Sequence, residues 1–414
     1  MAMGCDRMAE EQYSWKKNLF VLWTGVFFCS TAFSVVIPFL PIFLHDELHV
    51  ENNLETWSGV SFAVTFLASA LIAPYWGSLA DKYGRRPMLL RSGFFLALLY
   101  FVTYFVQNPY QLLVIRLFQG MLAGYVPSAI ALVATNTPEK HVGYSLGVMS
   151  TATATGSIIG PLIGGVVSHW IGNREAFLFA AGLVSFSFLI ALLWAKETNF
   201  NRSSKRSNVL ADLKDAVSNR KLMVTLGMVT ATSTSVMLIE PLLTIYVIQL
   251  GGSKGTASLS SGIIFSAVGI ATIIAAPRWG KAGTKLGFGK VLCIGLLGGA
   301  IGNLLQLAIH HLVGFGVLRF CYGLFFAAVF PALNALIVQS TDPSFRGRAF
   351  SLNQSAMQMG NMLGPLLGGF LGGVLSIPLV FLLNGLALLG IAATVGLRKI
   401  GWPQRQETDR TVSM

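Results

Sequence analysis

Glu240, Arg116 and Arg319 are ionisable side chains lying well inside long apolar stretches of the chain. A charge in such a setting is costly, and by default it marks a transport pathway, a proton relay or the partner of a ligand. Glu240 lies about ten residues from the end of its stretch, and Arg319 about seven residues into its own from the same side. At 1.5 Å per helical residue these are depths of about 15 and 11 Å, so the two are expected to be able to meet. Burial favours a neutral carboxyl and a neighbouring cation favours a charged one, so their competition can tie a proton to a conformation. Two readings stay open: a structural ion pair beside Pro241, or proton exchange while a cationic ligand occupies the same space.

Other side chains could line a ligand site. Gln354, Gln358 and Asn361 recur at i, i+4 and i+7, one stripe of a helix. Thr232, Thr234, Ser235, Asn334 and Gln119 add hydroxyls and amides, while Phe33, Met149 and Met237 offer adaptable apolar surface suited to flat, lipophilic cations. With 29 Phe and 13 Met in the chain, any one of these is more often packing or lipid-facing than ligand-facing.

The elements that must position these groups follow from composition. Of 414 residues 54% are hydrophobic and only 11% charged, and the mean hydropathy is +0.65; a soluble domain carries about a quarter charged residues. A bilayer core about 30 Å thick needs about 20 apolar residues per helical crossing. Twelve stretches qualify, near residues 19–44, 56–80, 88–106, 112–134, 142–168, 175–195, 222–250, 259–280, 288–309, 312–339, 347–374 and 377–397. Their length and all-round apolarity predict helices, which satisfy their own backbone in lipid, and not the short alternating strands of a barrel. The polar segment 1–18 does not resemble a cleaved leader.

The net charge of +12 is distributed by face. Apart from Arg116 and Arg319 inside spans, and Arg174 and Lys254 in the opposite loops, every Lys and Arg falls on the side of the two termini. That asymmetry predicts cytoplasmic termini, a surface suited to anionic lipid and no nucleic-acid partner. The basic segment 196–221 divides bundles at 19–195 and 222–397, and 398–414 forms a cytoplasmic tail. The second part of that segment reads either as a solvated linker or as a short amphipathic surface helix. Four cysteines without metal-ligand spacing support neither a disulfide framework nor a metal, and no Walker loop is present, so no cofactor is called for.

The two bundles are copies. Ala73-Pro74-Tyr75-Trp76-Gly77 recurs as Ala276-Pro277-Arg278-Trp279-Gly280, an offset of 203 that also relates Pro38 to Pro241, Arg116 to Arg319 and Gly120 to Gly323. The run from Gly156 through Gly160, Pro161 and Gly164 to Gly165 returns, at an offset of 204, as Gly360, Gly364, Pro365, Gly368 and Gly369. Copies with an even number of spans keep one orientation, as parallel repeats flanking a central cavity do. Ile37 stands where Glu240 stands in the second copy, so the partners open to Arg116 are Gln119, nearby hydroxyls or carbonyls freed by Pro38 and Pro41.

Between the second and third spans lies Gly77-Ser-Leu-Ala-Asp81-Lys82-Tyr-Gly84-Arg85-Arg86-Pro87, a tight turn with a carboxylate and paired arginines. This loop resembles the signature of the major facilitator superfamily; its second copy is degenerate, with Thr284 in place of Asp81. Pro38-Phe-Leu-Pro41, Arg116-Leu-Phe-Gln-Gly120 and the Gly156–Gly165 run are similar to twelve-span drug and proton antiporters, particularly MdtG-like bacterial multidrug exporters. The resemblance implies an all-α membrane protein of two six-helix bundles in the bacterial cytoplasmic membrane. It also implies a small-molecule substrate exchanged for protons, Gly77, Asp81, Gly84, Arg85 and Arg86 in gating, and Arg116 in proton coupling. A monomer is the expected functional unit. A single-metabolite carrier is the alternative within the fold, and an intramembrane enzyme would need a catalytic constellation that the loops do not hold. The glycines spaced by four have two readings, as a mark of export or as packing, the latter expected at the seam between the halves.

Overall fold

The computed structural model describes residues 2–197, 219–251, 256–342, 345–397 and 400, so most of the segment 196–221 and of the tail 398–414 lies outside the described residues. Fifteen α-helices run through the described residues. In the first half they are α1 (Ala2–Val35), α2 (Leu40–Asp46), α3 (Leu54–Tyr83), α4 (Arg85–Thr103), α5 (Pro109–Leu122), α6 (Tyr125–Asn136), α7 (Glu139–Ile171) and α8 (Asn173–Trp194). In the second half they are α9 (Arg220–Gln249), α10 (Ala257–Leu286), α11 (Phe288–Leu305), α12 (Leu312–Phe326), α13 (Val329–Gln339), α14 (Arg346–Val374) and α15 (Ile377–Leu397).

Fifteen helices make twelve crossings because three of the expected spans are broken. The span 19–44 divides at residues 36–39, where Pro38 removes a donor, and Pro41 opens the helix that follows. The spans 112–134 and 312–339 divide at equivalent places, after α5 and after α12. At the first of these Gly124 takes φ +132°, a conformation closed to most side chains, while Ala327 and Ala328 make the second break with ordinary right-handed backbone. The polar segment 1–18 is helical from Ala2 and runs without a break into the first crossing as α1. Ten crossings are long and apolar enough by themselves; α4 and α14 are diluted by arginines, or by amides and glycines.

Each half repeats the same neighbours. α1 packs on α7 as α9 packs on α14, α4 on α8 as α11 on α15, and α3 on α5 as α10 on α12. Two extensive contacts join the halves, α3 with α14 and α7 with α10, and α9 adds smaller ones with α2 and α3. Helices in lipid gain little from hiding apolar surface, so close backbone approach has to supply the attraction. Glycine permits that approach. Gly156, Gly160 and Gly164 lie against the backbone of α1 from Phe27 to Val35, and Gly360, Gly364 and Gly368 against α9 from Thr230 to Leu238. These six therefore pack inside each half, which corrects the expectation that they form the seam. The seam uses the adjacent pair: Gly369 meets Gly59, and Gly165 meets Ser258 and Leu259, one turn from Gly262. A residue beside another on a helix points about 100° away, so α7 and α14 each serve two partners.

The seam closes only one end of the molecule. Its hydrogen bonds, Thr56 to the Gly369 carbonyl at 3.2 Å and Ser266 to the Ile158 carbonyl at 2.8 Å, lie toward the end away from the termini. Toward the termini Gly77, Gly143, Gly147 and Gly280 face open space, and Tyr75 and Tyr144 are exposed. Replacing Gly59 or Gly262 with Leu drives a side chain into the carbonyl of Pro365 or Pro161, overpacking that costs about 1–3 kcal/mol. The expected outcome is a molecule displaced toward opening at the seam end, read as increased labelling of a cysteine at Thr56 or Ser258 with expression retained.

Candidate functional site

The signature turn is built from a glycine and an acid outside the motif. Gly84 ends α3 and begins α4 with φ +100°, and Gly287 does the same between α10 and α11 with φ +92°, so the degenerate copy keeps the turn after losing the charges. The four leading N–H groups of a helix need partners. For α4 the Glu197 carboxylate supplies them, accepting from the backbone N–H of Arg85 at 2.8 Å and of Arg86 at 3.0 Å. The Arg85 guanidinium donates to the Ala131 carbonyl at 2.6 Å and that of Arg86 to the Leu192 carbonyl at 2.9 Å. Beside them the Lys196 backbone is held by Asn18, at 3.1 Å and 3.0 Å, and by Asn136 at 2.5 Å. Thus α1, α4, α6 and the chain leaving α8 are tied together at the termini end, and none of these bonds crosses to the second half. The Asp81 backbone lies in α3; its side chain lies outside the described residues.

The repeated tryptophan has a defined task. Trp76 Nε1 donates to the Met121 carbonyl at 2.7 Å, and Trp279 Nε1 to the Leu324 carbonyl, also at 2.7 Å. Both acceptors lie in the last turn before a helix break, where carbonyls lose their intrahelical donors. In the first half Arg91 assists, its guanidinium 3.3 Å from the Trp76 ring centroid and 3.2 Å from the Ala123 carbonyl.

The two buried arginines of the repeat have different surroundings. Arg116, 3% exposed, donates from Nη1 to Gln119 Oε1 at 3.1 Å, leaving its Nε and Nη2 and the Gln119 Nε2 without partners among the described residues. At the equivalent place after Arg319 stands Tyr322. The Arg319 guanidinium lies among rings, 5.5 Å from Phe315 and 5.4 Å from both Tyr322 and Phe381. It does not meet Glu240: among the described residues the carboxylate makes neither ion pair nor hydrogen bond and is half-buried. The reason lies in the turn of α9. Leu238, Ile239, Leu242 and Leu243 pack with Phe315 and Phe381, and Glu240, about 100° on from Ile239, stands off that face.

Of the expected ligand groups, the structure pairs some amides, one pair across two helices and one within α14. Asn353, which the stripe reading passed over, donates to Asn334 Oδ1 at 3.2 Å, and Asn361 donates to Gln358 Oε1 at 3.2 Å; Gln354 is exposed. Phe33 is partly exposed, with its ring 5.9 Å from Phe66. Met237 lies beside Gly364 on the α9 to α14 contact. Met149 is fully buried in the core of the first half, so its sulfur meets protein and is not available to a ligand here, contrary to expectation. Thr232 is also fully buried, Thr234 donates to its own helix at 2.8 Å, and Ser235 donates to Asn384 of α15. Asn384, Asn353 and Glu197 are the residues the sequence reading missed; an isolated Asn in the apolar run of α15 was the available signal for the first.

A twelve-crossing bundle of two like halves, closed at one end and open at the other, defines a multi-pass membrane transporter. The family model for the Major Facilitator Superfamily matches residues 22–263 and 228–407, and the chain belongs to that superfamily. Within it, Multidrug resistance protein MdtG of Proteus mirabilis (strain HI4320) is 39% identical over 358 residues, 84% of this chain and 87% of that protein. The MdtG of Enterobacter lignolyticus (strain SCF1) is 36% identical over 391 residues, 93% and 92% of the two chains. Among solved structures the nucleoside transporter NupG superposes with a TM-score of 0.78 at 12% identity, covering 92% of this chain and 99% of its own. A bacterial homologue of the human lysosomal transporter Spinster, inward-facing and unoccupied, gives 0.74 at 14% identity, covering 96% and 99%.

Replacing Glu197 with Ala removes the acceptor for two α4 N–H groups, a loss of about 1 kcal/mol. The expected result is a lowered melting temperature of the purified protein, with Glu197→Gln intermediate because its amide still accepts one bond.

Proposed function

We propose that the chain is a proton-driven exporter of lipophilic, often cationic drugs in a bacterial cytoplasmic membrane, with both termini in the cytoplasm. The observation carrying this reading is the pairing of a one-end-closed double bundle with three ionisable side chains inside its crossings, none of them neutralised by an acid–base pair among the described residues. A charge left in this way is free to exchange partners when the halves rock. The MdtG names of the relatives supply the substrate class. With the termini cytoplasmic, the open end faces the cytosol, where a drug to be exported enters.

In this reading Glu240 carries the proton. Its carboxylate has no fixed partner in the present state, so a cation entering the space can displace the proton and a later proton can displace the cation. Arg116 and Arg319 bias that exchange from their buried positions, and Gln354, Gln358, Asn361, Asn334 and Phe33 contact the substrate. Gly77, Asp81, Gly84, Arg85 and Arg86 meet the second half when the cytoplasmic end closes.

Cells expressing the chain are expected to accumulate less ethidium than cells lacking it, with the difference abolished by an uncoupler. Glu240→Gln should lose at least about tenfold of the uncoupler-sensitive efflux, the worth of about 1.4 kcal/mol, at unchanged expression. Wild-type coupling in that variant removes Glu240 from the role. Arg116→Lys keeps the charge and loses the planar donor array; reduced efflux is expected, whereas unchanged transport leaves Arg116 a dispensable anchor.

A further inference from the structure

The internal repeat provides a control for which surfaces of the second half are unusual. In the first half Phe28 of α1 and Phe186 of α8 meet edge to face with ring centroids 4.9 Å apart, filling the groove between those helices. At the equivalent places in the second half stand Ala231 of α9 and Gly390 of α15. No other side chain refills the space. A cavity of about 390 Å³ remains between α9 and α15, lined by Val224, Met228, Ile391 and Thr394 among others. Neither Gly227 nor Gly390 has an atom within 4 Å of where a Cβ would stand, unlike the glycines that seat α7 and α14 on their neighbours.

Both ends of this groove are defined. Toward the middle of the crossing it stops at Ser235 and Asn384, which bond to each other and clamp α9 to α15. Toward the termini Arg220 is exposed at the start of α9, on the same helical stripe as Val224, Gly227 and Ala231. From Arg220 to Ala231 the helix rises about 16 Å. The result is a long, largely apolar slot on the outside of a membrane bundle, with a cation at the level where headgroups lie. An apolar lining offers ordered water too few partners, whereas a hydrocarbon chain under an anionic headgroup matches both features.

We propose that this groove binds an anionic phospholipid, one acyl chain lying between α9 and α15 and the headgroup phosphate against Arg220. The test is native mass spectrometry of the full chain with phosphatidylglycerol and phosphatidylethanolamine of identical acyl chains. The wild type is expected to retain phosphatidylglycerol preferentially. The double variant A231F/G390F, which restores the aromatic pair of the first half, is expected to lose most of the retained lipid. Arg220→Gln is expected to keep lipid but to lose about fivefold of the preference for phosphatidylglycerol, the worth of one cation beside an anionic surface. Undiminished phosphatidylglycerol on A231F/G390F overturns the proposal, as does an unchanged preference in Arg220→Gln, which stands alone if the double variant fails to fold. A dimer that dissociates in A231F/G390F without loss of lipid also overturns it, assigning the groove to a second copy of the chain.

Discussion

Two helices surrounded by hydrocarbon have no apolar surface to hide from water, so their attraction depends on how near their backbones come and on whatever polar groups they share. In this molecule that nearness is set by missing Cβ atoms. On α7 the glycines spaced by four seat α1, and on α14 the equivalent glycines seat α9. Gly165 and Gly369, each one step round its helix, are left to meet the opposite half. Two of the longest helices therefore have one face committed within a half and another face at the seam. A bulky residue on the first face would push apart helices within a half, and on the second would push apart the two halves, so the consequence of filling a glycine depends on its phase on the helix.

The repeat explains the scaffold, and the departures from it explain why the halves are not interchangeable. Trp76 and Trp279 hold equivalent carbonyls, Gly84 and Gly287 make equivalent turns, and Phe177 and Phe381 pack against rings in equivalent clusters. Against that constancy, the residue one turn beyond the buried arginine is Gln119 in one half and Tyr322 in the other. A hydrogen-bonded guanidinium is fixed in direction, whereas one surrounded by aromatic faces is held by attraction with weaker directional preference. The half that carries Glu240 thus also carries the less directionally restrained arginine.

Much of this was legible from spacing. Crossing number, the repeat and the turn at Gly84 follow from hydropathy, offset and residue type, because each depends on local chemistry. The breaks after α5 and α12 were not, since Ala327 and Ala328 carry no breaking signal and the tryptophans that stabilise both breaks lie 45 residues away in sequence. The pairing of Glu240 with Arg319 failed for a related reason. Depth along a helix can be counted from sequence, but the direction a side chain takes round the helix depends on which face the rest of the bundle claims, and here the apolar face of α9 claims Phe315 and Phe381. Asn353 escaped the amide stripe because its partner, Asn334, belongs to another helix.

The ties at the termini end constrain how such a molecule can rock. Lys196 is held by Asn18 and Asn136, and Glu197 by the first two amides of α4, so the chain leaves the first half from a point fixed to three other helices, α1, α4 and α6. A pull transmitted along the connection to the second half therefore acts on the first half as a body, and does not peel α8 away from it. The seam holds fewer hydrogen bonds by comparison, from the side chains of Thr56 and Ser266, and otherwise consists of glycines against backbone and of apolar side chains such as Ile158, Leu54 and Phe265. Stiff halves joined by a smooth, sparsely bonded seam favour a change of angle over a change of internal structure, because packed cores deform less readily than interfaces repack. Under the proposed function, Glu240 would keep its neighbours within such a body while the body turns, and that is the condition under which gain or loss of one proton can be coupled to direction.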